Sequence, residues 1–341
     1  MTGIFEMMDT AGTDRLVLLR DGKSGLKAII ALDSLVLGPA CGGIRTQPYA
    51  TLAQALADVA KLSRAMTLKC AIAGLDAGGG KTVVIDHAGM DRAAAFRRLG
   101  GFIEEFGGLY RCAGDLGTTH QDLLHVAEST QYCDVSGVEL GDATGTTILN
   151  GIRACAALRG ITDLSSLSIA VQGSGLIGAG VARAMAALGA RVLIADLDGA
   201  RAKALADEVG AAVVDSASVL AQDVDIISPC AVGGVLTMDS VTSIKAWAVC
   251  GGANNQLSHP QVADGLAARR IDYVPDFLAS SGAVIVGVCR STMHTDPEPI
   301  LAAVEHTARD ILRAAKEKVC STVSVAEDMA RHRIAAKGAR S

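Results

Sequence analysis

The sequence predicts an α/β protein of two domains: an N-terminal mixed α/β domain and a C-terminal domain built on a parallel sheet, separated by a cleft. Three observations carry this. The chain has 341 residues, about two domains' worth. Its second half alternates apolar strand runs with helices, the mark of a parallel sheet covered on both faces. One strand and helix in that half are joined by a glycine-rich turn, Gly173-Ser174-Gly175-Leu176-Ile177-Gly178, in the context expected at the head of such a sheet.

Taken in order, residues 15–19 and 26–32 read as strands joined by a turn at Asp21-Gly22-Lys23-Ser24-Gly25. Gly38-Pro39-Ala40-Cys41-Gly42-Gly43-Ile44-Arg45 reads as a glycine-rich loop. Residues 51–66 place Leu52, Ala55, Leu56, Val59, Leu62 and Met66 on one stripe, which predicts an amphipathic helix. Strand-like pieces around Lys69 and Lys81 follow. The second is preceded by Gly78-Gly79-Gly80, where close approach of another group is allowed. Asp91 can cap a helix running to about Phe106. A short strand at 110–113 leads into Gly114-Asp115-Leu116-Gly117-Thr118-Thr119, and a helix runs on through about Glu128.

A long helix is predicted at 146–158, then strands at 168–172, 191–195, 212–214, 224–228, 246–249 and 271–274, with helices at 177–188 and 200–209. The tail from 297 to 338 reads as helical. The first domain is therefore 1–137 and the second 138–319, with a terminal helix at 320–341 able to pack back on the first. A closing hinge is expected near Gly137 to Gly145.

Charged residues are 20% of the chain and the formal net charge is −5. That balance argues against nucleic-acid binding, which needs a basic face. No run of about 18 apolar residues occurs, so no membrane span is expected. The start, Met1-Thr2-Gly3-Ile4-Phe5-Glu6, shows no signal-peptide pattern, and the nine cysteines show no Cys-x-x-Cys spacing. A cytoplasmic protein with reduced thiols and no bound metal is the expectation.

The turn at 173–178 fits G-x-G-x-x-G, and Asp196 ends the next strand. Gly173 makes the tight turn, Gly175 lets a pyrophosphate approach, and Gly178 lets helix and strand pack closely. Amides of Ser174, Leu176 and Ile177 stand where phosphates are held. The Asp196 carboxylate suits ribose hydroxyls and repels a 2′-phosphate, which favours NAD over NADP. The motif by itself also fits a flavin or S-adenosylmethionine.

Lysine in an apolar strand-like setting is costly to bury unless it is paired or functional. The plainer reading of Lys69 and Lys81 is a side chain that snorkels at a strand end. If the two amines share a cleft, repulsion and desolvation lower the pKa of one, giving a general base beside a permanent cation. Asp115 is the candidate carboxylate; its plainer role is that of an acid near a helix N-cap.

Gly38-Pro39-Ala40-Cys41-Gly42-Gly43-Ile44-Arg45, Met66-Thr67-Leu68-Lys69, Ala77-Gly78-Gly79-Gly80-Lys81-Thr82 and Asp115-Leu116-Gly117-Thr118 occur in the order and spacing of the Glu/Leu/Phe/Val amino-acid dehydrogenase family. Ser228-Pro229-Cys230-Ala231-Val232-Gly233-Gly234 and Gly252-Ala253-Asn254-Asn255-Gln256-Leu257 resemble that family's cofactor-domain motifs. The resemblance covers nearly the whole chain and is nearest the leucine and phenylalanine branch. It implies a Rossmann second domain and reversible, NAD-dependent oxidative deamination of an L-amino acid to a 2-oxo acid and ammonia. It also implies a homo-oligomer, dimer or higher, built through the first domain. In that likeness Lys69 binds the substrate carboxylate with backbone at Gly42 and Gly43. Lys81 is the general base and Asp115 holds the amino group. Thr144 bonds the nicotinamide carboxamide, and Cys230, Ala231 and Asn254 line the nicotinamide ribose.

The chain departs from the leucine pattern at Ser280, where an asparagine is expected, and at Cys41, a side-chain pocket position that is bulkier in leucine enzymes. Ala113 would be a second pocket wall. An apolar substrate of the leucine or valine type is expected. The departures motivate an alternative, a larger aromatic amino acid or an imine of a specialised pathway. A catalytically silent NAD-binding protein is the reading from another class.

Overall fold

The computed structural model describes residues 3–136 and 139–339. The chain divides into two compact units. One holds Met1–Gly137, Gly287–Asp296 and Ala330–Ser341, and the other Val138–Val286 and Pro297–Met329. Two boundaries therefore differ from the sequence reading. Gly287–Asp296, expected in the second domain, belongs to the first unit, and of the terminal helix only Ala330 onward does. Apolar patterning marks buried faces but not which core they complete.

The first unit opens on a helix the sequence reading did not assign, α1 (Ile4–Ala11), followed by β1 (Leu16–Asp21), β2 (Leu26–Ser34) and β3 (Ala40–Gln47). Then come α2 (Leu52–Ile72), β4 (Gly78–Ile85), α3 (Arg92–Glu104), β5 (Tyr110–Gly114) and α4 (His120–Ala127). The sheet order is β1-β2-β4-β3-β5. β1, β2 and β4 pair antiparallel, and β3 lies parallel to both β4 and β5. One face is covered by Leu56 and Val59 of α2 over Ile29, Ala31 and Val83. The other packs Phe96, Leu99 and Ile103 of α3 against Ile30, Ile44 and Tyr110.

Two expectations fail here. The glycine-rich stretch 38–45 is mostly strand rather than loop, because β3 is buried between β4 and β5, where glycines let the backbones close up. Lys69 lies on α2, not on a strand. The helix continues past Met66 because its buried stripe continues through Ser63, Thr67, Cys70 and Ala71. It stops only where Gly74 takes a φ of 82°.

The second unit begins with α5 (Glu139–Ala157), two turns earlier than the predicted helix. Of the expected hinge, Gly137 and Val138 lie outside the described residues, and Glu139 onward is helical. Next are β6 (Ser168–Gln172), α6 (Leu176–Ala187), β7 (Arg191–Ala195), α7 (Gly199–Val209), β8 (Ala212–Val213) and β9 (Ile226–Pro229). The unit is completed by α8 (Met238–Ser243), β10 (Ala248–Val249), α9 (Gln261–Ala268), β11 (Asp272–Tyr273), α10 (Asp276–Ala279) and α12 (Glu298–Lys318). Between α10 and α12 runs α11 (Gly282–Val288), and the chain ends on α13 (Thr322–Gly338).

The second sheet is parallel throughout, in the order β11-β10-β9-β6-β7-β8. The order reverses between β6 and β9, the point at which such sheets open a ligand crevice. Asp272 on β11 is 4% exposed and is neutralised by Lys316 at 2.9 Å and Arg159 at 3.3 Å. No helix among the described residues is long and apolar enough to cross a membrane.

Candidate functional site

In the first unit, alternation along β4 turns Gly79, Lys81 and Val83 toward α2 and Gly80 and Thr82 toward Tyr110. The glycines make this packing possible. A Cβ on Gly79 would stand 2.2 Å from the Thr67 amide nitrogen and 2.4 Å from the Ser63 carbonyl. On Gly80 it would stand 2.9 Å from the Tyr110 ring. None of Gly78, Gly79 and Gly80 has positive φ. They serve close approach, as expected, but the approaching groups are the protein's own helix and ring.

Lys81 is 5% exposed, and its Nζ lies 3.3 Å from Asp115 Oδ1. Burial pushes the Lys81 amine below its ordinary value; Asp115 opposes the shift and Arg45 adds to it. Arg45, which the sequence reading had not invoked, is a cation that acts on Lys81. Burial works to raise the Asp115 carboxyl, but Lys81 and then Arg45 outweigh it and hold it below its usual range.

Asp115 is set in place by the turn after β5. Thr118 donates to Ile44 O at 2.6 Å and meets Thr46 Oγ1 at 2.7 Å, and Thr46 N donates to Leu116 O at 2.9 Å. Gly117 adopts φ 76° with its Cα against the Thr46 carbonyl. The helix-capping role is taken by Thr119, which forms a capping box with Asp122. Asp115 is therefore not spent on the cap. Gly43 lies beside this group: a Cβ there would be 2.9 Å from Asp115 Cβ. Gly42 likewise faces the Gly80 carbonyl, with 1.7 Å left for a Cβ.

Cys41, Gly43 and Arg45, spaced two apart, share one face of β3. Cys41 is buried, which pushes its thiol up, and its Sγ lies 3.6 Å from Thr292 Oγ1. Ala113 is the register partner of Gly43 on β5. Lys69 is buried near the end of α2. The sequence reading quoted Arg45 but gave it no part, and it passed over Asp58 and Tyr49. Arg45 Nε donates to Asp115 Oδ2 at 2.7 Å, and its Nη1 lies 3.4 Å from Asp58. The Tyr49 hydroxyl donates to Asp58 at 2.6 Å. An arginine spaced two and four residues from buried neighbours in an apolar strand was the available signal.

In the second unit the fingerprint fits a dinucleotide. Gly173 has φ 96°, and a Cβ on Gly178 would sit 1.9 Å from the Gly173 carbonyl. Gly175 caps α6 without a side-chain bond, so the amides of its first turn face outward for phosphate. Asp196 Oδ2 accepts from Ser174 N at 2.6 Å and Ser174 Oγ at 2.8 Å. Its Oδ1 accepts from Asp198 N and Arg201, each at 2.9 Å. These bonds hold its carboxyl well below the usual range although burial opposes them. Leu176 and Leu197 are left exposed beside the turn, apolar surface suited to a ring.

Ala231 packs on Gly173, and Cys230 Sγ accepts from Gly252 N at 3.4 Å. Ser280 Oγ donates to Asp276 O at 2.7 Å and lies 3.1 Å from the Asn254 side-chain amide. Serine thus holds the Asn254 amide from the end of α10. Thr144 Oγ1 accepts from Ala283 N at 3.2 Å. Among the described residues no group of three His, Cys, Asp or Glu is placed to hold a metal ion.

Residues 15–132 match the family model described as the Glu/Leu/Phe/Val dehydrogenase dimerisation domain, and 200–337 match that of Glutamate/Leucine/Phenylalanine/Valine dehydrogenase. The chain is 35% identical to phenylalanine dehydrogenase of Thermoactinomyces intermedius over 98% of its own length and 94% of that protein. It is 39% identical to valine dehydrogenase of Streptomyces coelicolor over 81% of its own length and 79% of that protein. The crystal structure of L-tryptophan dehydrogenase from Nostoc punctiforme superposes with a TM-score of 0.88 at 30% identity, covering 99% of this chain and all of that one. The chain belongs to the Glu/Leu/Phe/Val dehydrogenase family and is an amino-acid oxidoreductase that works with a nicotinamide dinucleotide.

Proposed function

We propose that the protein catalyses the reversible, NAD-dependent oxidative deamination of an apolar L-amino acid of the leucine or valine type to the 2-oxo acid and ammonia. The observation that carries this reading is the Lys81–Asp115 pair. A lysine 5% exposed, with burial pressing it toward the neutral amine, is a base that works at a lower pH than free lysine. Nothing in the packing of β4 requires a charge there. Lys69 stays the cation for the substrate carboxylate, with the backbone of Gly42 and Gly43. Asp115 takes the substrate amino group and passes its proton. Lys81 removes a proton from water that adds to the imine carbon. The nicotinamide, when bound, supplies the hydride acceptor.

Ser174, Leu176 and Ile177 offer amides to the pyrophosphate. Asp196 favours NAD over NADP by facing the ribose with a carboxylate. Thr144, Cys230, Ala231 and Asn254 serve the nicotinamide end, and Ser280 orients Asn254. We further propose that the first domain binds substrate, that the chain forms a homo-oligomer through it, and that it works in the cytoplasm.

A second reading, a larger aromatic substrate, is favoured by the small side chains Cys41 and Ala113 and by the likeness to the tryptophan enzyme. NADH formation on a panel of L-amino acids at alkaline pH decides between them. Turnover of leucine or valine is the expected result. Turnover of tryptophan or phenylalanine alone replaces it with the second reading, and no turnover in either direction refutes both.

A further inference from the structure

We propose that Arg45 is a positioning residue that divides the Asp115 carboxylate, holding one oxygen so that Lys81 meets only the other. The proposal rests on the roles given above to Lys81 and Asp115. Arg45 is half-buried in β3, with 19% of its side chain exposed, a costly place for a guanidinium unless both ends are paired. Both ends are paired. Nε binds Asp115 Oδ2 at 2.7 Å, and Nη1 lies 3.4 Å from both Asp58 oxygens. Tyr49 closes the row by donating to Asp58 at 2.6 Å. The row Tyr49–Asp58–Arg45–Asp115–Lys81 thus runs from the loop after β3, by way of α2, to the amine.

The geometry matters for the chemistry. A carboxylate free to swing would present both oxygens to Lys81 and close a tight ion pair, in which the amine stays charged. With Oδ2 taken, Lys81 meets the carboxylate through the other oxygen, at 3.3 Å. Among the charged groups acting on Lys81 are Asp115 beyond β5, Arg45 on β3 and Asp58 on α2. Lysine in place of Arg45 would keep the charge, but one ammonium cannot serve two carboxylates through a planar fork.

The test compares the full-length protein with Arg45→Met and Arg45→Lys. Acetylation of Lys81 by acetic anhydride is followed against pH by mass spectrometry of its peptide, a readout independent of turnover. Steady-state kinetics give kcat and KM for the best amino acid found. Arg45→Met is expected to move the half-reaction pH of Lys81 upward by about one unit and to lower kcat more than it raises KM. Arg45→Lys is expected to keep that pH near the parent's while still lowering kcat. If Arg45→Met does not fold, Arg45→Gln takes its place with the same expectation. An unchanged Lys81 profile together with an unchanged kcat in a folded Arg45→Met protein overturns the proposal. So does an Arg45→Lys protein with the parent's kcat. If the parent protein turns over no amino acid but the Lys81 profile moves as expected, the positioning role stands and only the assigned reaction falls.

Discussion

Replacing Gly79 by alanine separates two meanings of a glycine run beside a catalytic lysine. If the glycines leave room for substrate, an added methyl should raise KM and leave the fold intact. The structure points elsewhere. The new Cβ would lie 2.2 Å from the Thr67 nitrogen and hydroxyl and 2.4 Å from the Ser63 carbonyl, against an ordinary contact beginning at 3.4 Å. Backbone of α2 cannot rotate away, so strand and helix must part by about 1 Å. Overpacking of this kind costs about 1–3 kcal/mol. Lys81, two residues on and facing the same helix, moves with the strand. A 1 Å misplacement of a reacting group is worth about a hundredfold in rate. We expect Gly79→Ala to unfold at lower urea and to lose about two decades of kcat with KM for the amino acid little changed. Urea melts and steady-state kinetics measure both. A variant with parental stability, parental kcat and a raised KM would refute the packing argument and restore the clearance reading.

Lys81→Ala should lower turnover by about 10²–10⁴-fold while NAD affinity, read by fluorescence titration, is unchanged; a normal rate would remove Lys81 from the chemistry. Because its neutral form grows as pH rises through a lowered pKa, the acid limb of kcat/KM should fall below the ordinary lysine value of about 10.4. Asp196→Ala frees Arg201, now held at 2.9 Å, to meet a 2′-phosphate. The NADP-to-NAD ratio of kcat/KM should rise by about tenfold or more, and a constant ratio would show that Asp196 does not discriminate. Gly180 lies inside α6 with nothing within 4 Å of an added Cβ. Gly180→Ala should therefore stabilise by about 0.5–1 kcal/mol in thermal or urea melts, and a loss of stability would contradict that geometry.

What the sequence made legible follows the range of its signals. The second sheet was readable because most of its strands are short apolar runs beside helices, and Gly173, Gly178 and Asp196 sit at fixed offsets along the chain. Lys81 and Asp115 were readable as costly residues in costly places. The setting of Lys69 was misread, as a strand where it is a helix. Met66-Thr67-Leu68 carries a β-branched residue, and it stays helical because the buried face of α2 runs on through Thr67, Cys70 and Ala71. Arg45, Asp58 and Tyr49 escaped because their meaning lies in pairing between separate elements, which no local period encodes. Thr292 escaped for the same reason: it reaches Cys41 from 251 positions away in sequence.

The first unit is not finished until segments far along the chain are made. It needs Gly287–Asp296, which sets Thr292 against Cys41. It also needs the segment from Ala330, where Arg333 donates to the carbonyls of Gly74 and Leu75 behind α2. A ribosome that has released the first 137 residues has therefore released an incomplete domain, whereas domains more often fold in turn from the N-terminus. Synthesis order and folding order part company here. A nascent chain stalled before Ala330 would present the turn after α2 without its guanidinium, and a chain cut there would be injured in its N-terminal domain rather than in the one the cut follows.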